Sequence, residues 1–137
     1  MTSPANQDVF RLIVQLSRQM TSEFEEQLAE LDLTGPQAQL LRQLDEPLPM
    51  VGAAERLHCD PSNITGIVDR LERRGLVQRN STPGDRRVKE LELTAEGRRL
   101  KIKVDEILSG MSALEGLNAG DREALASLLA RSLAESE

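Results

Sequence analysis

The stretch DPSNITGIVDRLERRG, residues 60–75, carries the start signal, buried face, exposed face and stop signal of one short helix. Asp60 suits the N-cap, where a carboxylate accepts free backbone N–H groups of the first turn. Pro61 suits the first helical position, which needs no N–H. Ile64, Ile67, Val68 and Leu71 fall at the i, i+3, i+4, i+7 spacing of a buried face. Gly75 can take the left-handed conformation that ends a helix. Off that stripe lie Ser62, Asn63, Thr65, Gly66, Asp69, Arg70 and Arg73. Small hydrogen-bonding residues at the N-terminal end, with arginine further along, equip a helix to enter a DNA major groove end-on. An ordinary surface helix with a polar face would share this pattern, so the flanking sequence has to decide.

Working upstream, residues 51–57 (VGAAERL) predict a short helix whose Ala53 and Ala54 permit close approach. His58 and Cys59 form the turn into Asp60, and two short helices joined this tightly describe a helix-turn-helix. Downstream, residues 76–79 are strand-like, and residues 81–85 (STPGD) are dense in turn formers. Residues 88–93 follow, with Leu91 and Leu93 alternating against Glu90 and Glu92 at period two. This predicts a β-hairpin with Arg86 and Arg87 at its tip, the wing of a winged helix, able to reach an adjacent minor groove.

Further out, residues 2–31 predict a long helix with an apolar stripe through Val9, Leu12, Leu16, Met20, Phe24 and Leu28; Ser3, Asn6 and Asp8 are all possible caps. Thr34 and Gln37 match a capping box for the next helix, which stops before Pro47 and Pro49. A short edge strand is expected within residues 48–51. Thr94 is the expected cap of a helix running to about Leu114, and Gly116 and Gly120 break the chain before a last helix near Asp121. The stripes at both ends exceed what one small lobe needs, so either the rest of the domain or a second subunit has to cover them.

The chain of 137 residues predicts one folding unit with a real core. Its net charge of −6 at first argues against nucleic acid, but the distribution reverses this: residues 1–60 carry −6, residues 61–103 carry +5 and residues 104–137 carry −5. A basic centre between acidic ends is the electrostatic footprint of a local phosphate-binding surface, and it coincides with the predicted helix and hairpin. No apolar run reaches membrane-spanning length and no signal peptide is evident, so no membrane partner and a reducing cytoplasm are expected. Catalysis is not expected: one His, no phosphate-cradling glycine loop and no HExxH motif leave no catalytic set. His58 and Cys59 alone cannot complete a tetrahedral metal site, so neither metal nor cofactor is expected. With two Phe and no Trp or Tyr, base stacking on single strands is disfavoured, whereas groove reading of duplex DNA is not.

The phrases LHCDPSNITGIVDRLERRGLVQR and PGDRRVKELELTAEGRRL strongly resemble the MarR family of bacterial transcriptional regulators. The resemblance is densest over residues 57–100, and the helical layout extends it over the chain. It implies a mainly α winged helix-turn-helix fold with a dimerisation helix at residues 1–32, a DNA-binding lobe at 33–93 and C-terminal dimerisation helices at 94–137. It implies a homodimeric regulator, a repressor, released by a small-molecule effector of unknown identity. It places the recognition helix in the major groove and the wing in the minor groove. The DNA-contacting residues are then Ser62, Asn63, Thr65, Arg70, Arg73, Arg86 and Arg87, with Asp85 orienting Arg87 through a charge-assisted hydrogen bond. Arg74 is a further phosphate candidate, unless the arginines of this helix pair instead with Asp69, Glu72 or neighbouring acids. Gly66 stands where many members carry Arg or another long side chain, and the helix before the turn lacks the usual polar cap. Cys59 lies in the turn rather than in the first helix, where the peroxide-sensing branch keeps its reactive cysteine. The reading from another class is a winged-helix interaction module whose basic wing binds an acidic protein partner.

Overall fold

The computed structural model describes residues 3–135. In chain order the elements are α1 (Pro4–Ala29), α2 (Gly35–Gln43), β1 (Leu48–Pro49), α3 (Met50–Arg56), α4 (Pro61–Arg73), β2 (Val77–Thr82), β3 (Asp85–Leu93), α5 (Ala95–Ser109) and α6 (Ala119–Glu135), with a 3-10 turn at Ser112–Leu114. This is the expected mainly α winged-helix layout. The described residues divide into two compact units, residues 23–109 and residues 3–22 with 110–135.

Within the 23–109 unit the core is built from Leu28, Leu40, Leu41, Ile64, Val68, Leu71, Val77 and Leu91, all essentially without solvent exposure. The antiparallel sheet has the order β1-β3-β2. Leu48 pairs with Leu91, which makes the short edge strand of the sequence reading real, though only two residues long. It stops there because Pro49 occupies the N-cap of α3. That helix has no side-chain cap, in line with the missing polar residue noted above. For α2 the capping box is complete: Thr34 Oγ1 accepts the Gln37 N–H, and Gln37 Oε1 accepts the Thr34 N–H.

Three helices in this unit end in the same way. Leu33 N–H bonds to Leu28 O with Asp32 N–H to Ala29 O; Cys59 N–H bonds to Ala54 O with His58 N–H to Glu55 O; Leu76 N–H bonds to Leu71 O with Gly75 N–H to Glu72 O. Each pair is a Schellman closure around one left-handed residue. That residue is Asp32 (φ 53), His58 (φ 51) and Gly75 (φ 72). Gly75 was expected in this role and His58 in the turn; Asp32 was not expected, because an aspartate carries no strong C-cap signal.

Four expectations need correcting. Asp60 does occupy the N-cap of α4, yet its side chain makes no cap bond; its backbone carbonyl accepts from Asn63 and Ile64 instead. Ile67 is only half-buried, because the α4 stripe opens onto a cleft there. The helix after the wing ends at Ser109 rather than near Leu114, where Ser109, Gly110 and Ser112 favour turn over helix. The first helix ends at Ala29 rather than Leu31, and Ser3 Oγ caps its start through the Asn6 N–H; Thr2, where the sequence reading began it, lies outside the described residues.

α5 is seated against the end of α4 by Thr94 and Gly97. Thr94 Oγ1 accepts the Gly97 N–H at 3.1 Å and donates to Gly75 O at 2.5 Å. A Cβ on Gly97 would fall 2.0 Å from Leu76 O, so only glycine allows this approach.

In the other unit, α6 opens on a reciprocal cap: Asn118 Oδ1 accepts the Asp121 N–H and Asp121 Oδ2 accepts the Asn118 N–H. Its apolar residues Leu128 and Leu133 stand exposed in the single chain, as do Val9, Phe10, Leu12 and Ile13 of α1.

Candidate nucleic-acid interface

The first turns of α4 present Ser62 and Asn63 to solvent, with no side-chain partner among the described residues. Thr65 is exposed, but its hydroxyl donates to Pro61 O at 2.9 Å. Its donor is therefore engaged by its own helix, and the oxygen lone pairs remain for a ligand. Ser62, Asn63, Gly66, Ile67 and Arg70 line an open cleft of about 710 Å³ together with Thr34, Gly35 and Pro36 at the start of α2. Gly66 has nothing within 4 Å of where its Cβ would be, so its lack of a side chain widens the cleft. The structure thus brings Ser62, Asn63 and Arg70 together on one surface. Thr65 and Arg73 lie on the same helix outside the cleft lining.

The two carboxylates of α4 are taken by an arginine the sequence reading missed. Arg79 on β2 bonds Asp69 Oδ1 at 2.5 Å and Glu72 Oε1 at 3.3 Å. This fastens the helix to the wing strand. It also leaves Arg70 and Arg73 without an ion pair among the described residues, both exposed. Arg79 could not be matched to its partners from sequence, because the match depends on where the returning strand lies beside α4. Arg74 is also engaged: its guanidinium donates to Asp32 O at 2.5 Å and Leu31 O at 3.0 Å. It is a helix-end contact in this structure, not a free cation.

The hairpin tip is a Pro83-Gly84 turn, with Gly84 at φ 90. Thr82 pairs with Asp85, but the next pair is Ser81 with Lys89. Arg86, Arg87 and Val88 therefore bulge out of the ladder, opposite no residue of β2. A bulge re-aims side chains away from the pleat, and all three are exposed. Asp85 Oδ1 accepts the backbone N–H of Arg87 at 2.9 Å. The expected bond to the arginine side chain is replaced by an Asx-type contact that shapes the bulge. Among the described residues the guanidinium groups of Arg86 and Arg87 have no partner. Asn80 to Glu92 at 2.7 Å and Lys89 to Ser81 at 2.9 Å brace the strands below the tip.

Among the described residues no group of three or more His, Cys, Asp or Glu could hold a metal ion. No helix among them is long and apolar enough to cross a membrane.

Comparison with known proteins identifies this arrangement. The model of the MarR family matches residues 33–89, from just before α2 into β3. The organic hydroperoxide resistance transcriptional regulator of Bacillus subtilis is 32% identical over 120 residues, covering 86% of this chain and 82% of that protein. The chain belongs to the MarR family. It is accordingly a transcriptional regulator and not an enzyme. The HTH-type transcriptional repressor NicR of Pseudomonas putida is 33% identical over 127 residues, covering 90% of this chain and 80% of its own. A mutant MarR from E. coli complexed with operator DNA superposes with a TM-score of 0.76 over 96% of this chain and 99% of that one; at 24% identity this is a likeness of fold.

Proposed function

We propose that this MarR-family regulator is a cytoplasmic repressor that binds a pseudo-palindromic DNA duplex as a homodimer. α4 enters the major groove and the bulged wing tip enters the minor groove alongside. One observation carries this reading: every carboxylate on α4 is held by Arg79, while among the described residues Arg70, Arg73, Arg86 and Arg87 are left exposed and unpaired. Cations held apart from the neighbouring acids are what phosphates and groove edges require, since a paired arginine would first have to break its bond. Ser62 and Asn63 supply base-edge hydrogen bonding, and Asn63 can pair bidentately with adenine. The exposed apolar faces of α1 and α6 supply the surface for the second copy. The operator complex of the E. coli protein and the repressor name of the Pseudomonas relative support the same reading. Release by a small-molecule effector is part of the proposal on family grounds alone.

Selection from random duplexes with the purified protein, at two salt concentrations, tests it. An inverted repeat with half-sites about one helical turn apart is expected. Binding without a motif, lost when salt is raised, would leave the basic centre as a protein-binding or non-specific surface.

A further inference from the structure

The Schellman closure of α1 satisfies the carbonyls of Leu28 and Ala29 but not those further on. Leu31 O and Asp32 O accept no backbone N–H among the described residues. Both instead accept from the Arg74 guanidinium. Arg74 is itself the C-cap of α4. One cation therefore joins the C-terminal ends of two helices. Each end carries roughly half a negative charge from its aligned peptide dipoles, which favours a cation there. A planar fork of N–H donors meets two neighbouring carbonyls in a way a single ammonium cannot.

We infer that Arg74 is a positioning residue for DNA recognition. It pins the end of the recognition helix to the end of α1, while Arg79 pins the body of the same helix to the wing. The inference rests on the proposed DNA-reading role of α4. It sets Arg74 apart from Arg70 and Arg73, its neighbours in sequence, which carry no such bond among the described residues. Positioning matters for a specific site, where side chains have to meet base edges in register. It matters little for non-specific binding, which is carried by charge.

The test uses the full-length protein, its selected operator and a random duplex of equal length, each titrated over a salt series. In Arg74→Gln, operator affinity falls by about tenfold, the loss of a charge-assisted hydrogen bond. Affinity for the random duplex and the slope of log affinity against log salt stay as in the wild type. An equal loss on both duplexes, with a slope shallower by about 0.9, would make Arg74 a phosphate contact and overturn the inference. No change on either duplex would overturn it too. Arg74→Lys keeps the charge and serves should the glutamine variant not fold: a phosphate contact would survive the change, whereas the two-carbonyl fork does not, so the same selective loss is expected. The clamp is also read without DNA. Amide exchange at Asp32 and Leu33 accelerates in either variant; unchanged exchange sinks the clamp, whereas failure of the wild type to select any operator sinks the DNA reading.

Discussion

The two ends of α1 carry the same apolar stripe and meet opposite fates. Leu28 has 0% of its surface exposed and Phe24 8%, whereas Val9 has 54% and Leu12 53%, with Phe10 beside them at 72%. The stripe alone cannot tell them apart, because three- and four-residue spacing reports only that one face of a helix is apolar. The difference lies in what surrounds them. Leu28 belongs to the 23–109 unit, where α2, α4 and the sheet supply a core that closes on itself. Val9 belongs to the unit of the two chain ends, where α6 leaves Leu128 59% and Leu133 69% exposed as well. Apolar faces of this kind mark interaction sites, and in the proposed homodimer this face is half of the interface.

The sharpest way to break that comparison is to attack the closed core where it has no room. Gly97→Ala puts a Cβ 2.0 Å from the Leu76 carbonyl oxygen, which is backbone and cannot swing aside. We expect a loss of about 3 kcal/mol, measured by denaturant unfolding, at the upper end of overpacking costs. A loss below about 1 kcal/mol would mean that α5 shifts freely at this junction. The complementary change is Leu133→Asp on the open face. Here the expected effect is on association: sedimentation shows a shift towards monomer, while the far-ultraviolet spectrum keeps its helical content. A dimer unaffected by the change would place the interface elsewhere.

Most of the lobe was legible because its signals are local. The Thr34 capping box, Gly75 at the end of α4, His58 in the turn and the Pro83-Gly84 tip each depend on residues a few positions apart. The buried face of α4 was legible at Ile64, Val68 and Leu71 for the same reason, and misread at Ile67, where the missing side chain of Gly66 and the start of α2 open a cleft. What escaped was non-local. Arg79 reaches Asp69 and Glu72 only after the chain has reversed into β2, and Arg74 reaches α1 across more than forty residues. Gly97 reads as an unremarkable helix residue until α5 is laid on Leu76. The candidate contacts themselves, Ser62, Asn63, Arg70, Arg86 and Arg87, were legible as residue types in a pattern. Which arginines stay free was not, since freedom depends on where every acid ends up.

The mildest test concerns a link in the closed unit that should matter little. Lys101 on α5 bonds Asp45 Oδ1 at 2.8 Å, after the end of α2, and Asp105 Oδ2 at 3.4 Å; Asp105 also meets Arg42 at 3.3 Å. The hydrogen bond from Lys101 holds the Asp45 carboxyl below its usual 3.8, and the bond to Asp45 raises Lys101 above its usual 10.5 against the opposing pull of desolvation. A depressed carboxyl contributes stability above its unfolded value and loses it as pH falls through the folded one; a raised lysine contributes below its unfolded value and loses it as pH rises through the folded one. The advantage of wild type over Asp45→Asn should therefore be flat from about pH 5 to about pH 9 and shrink beyond both ends. It should also be the smallest of these effects, because Asp45 is exposed to solvent and Lys101 keeps Asp105 when Asp45 is lost. If Asp45→Asn instead rivalled Gly97→Ala, the lobe would depend on its surface ion pairs as much as on its core, and the contrast between the two ends of α1 would no longer rest on apolar packing.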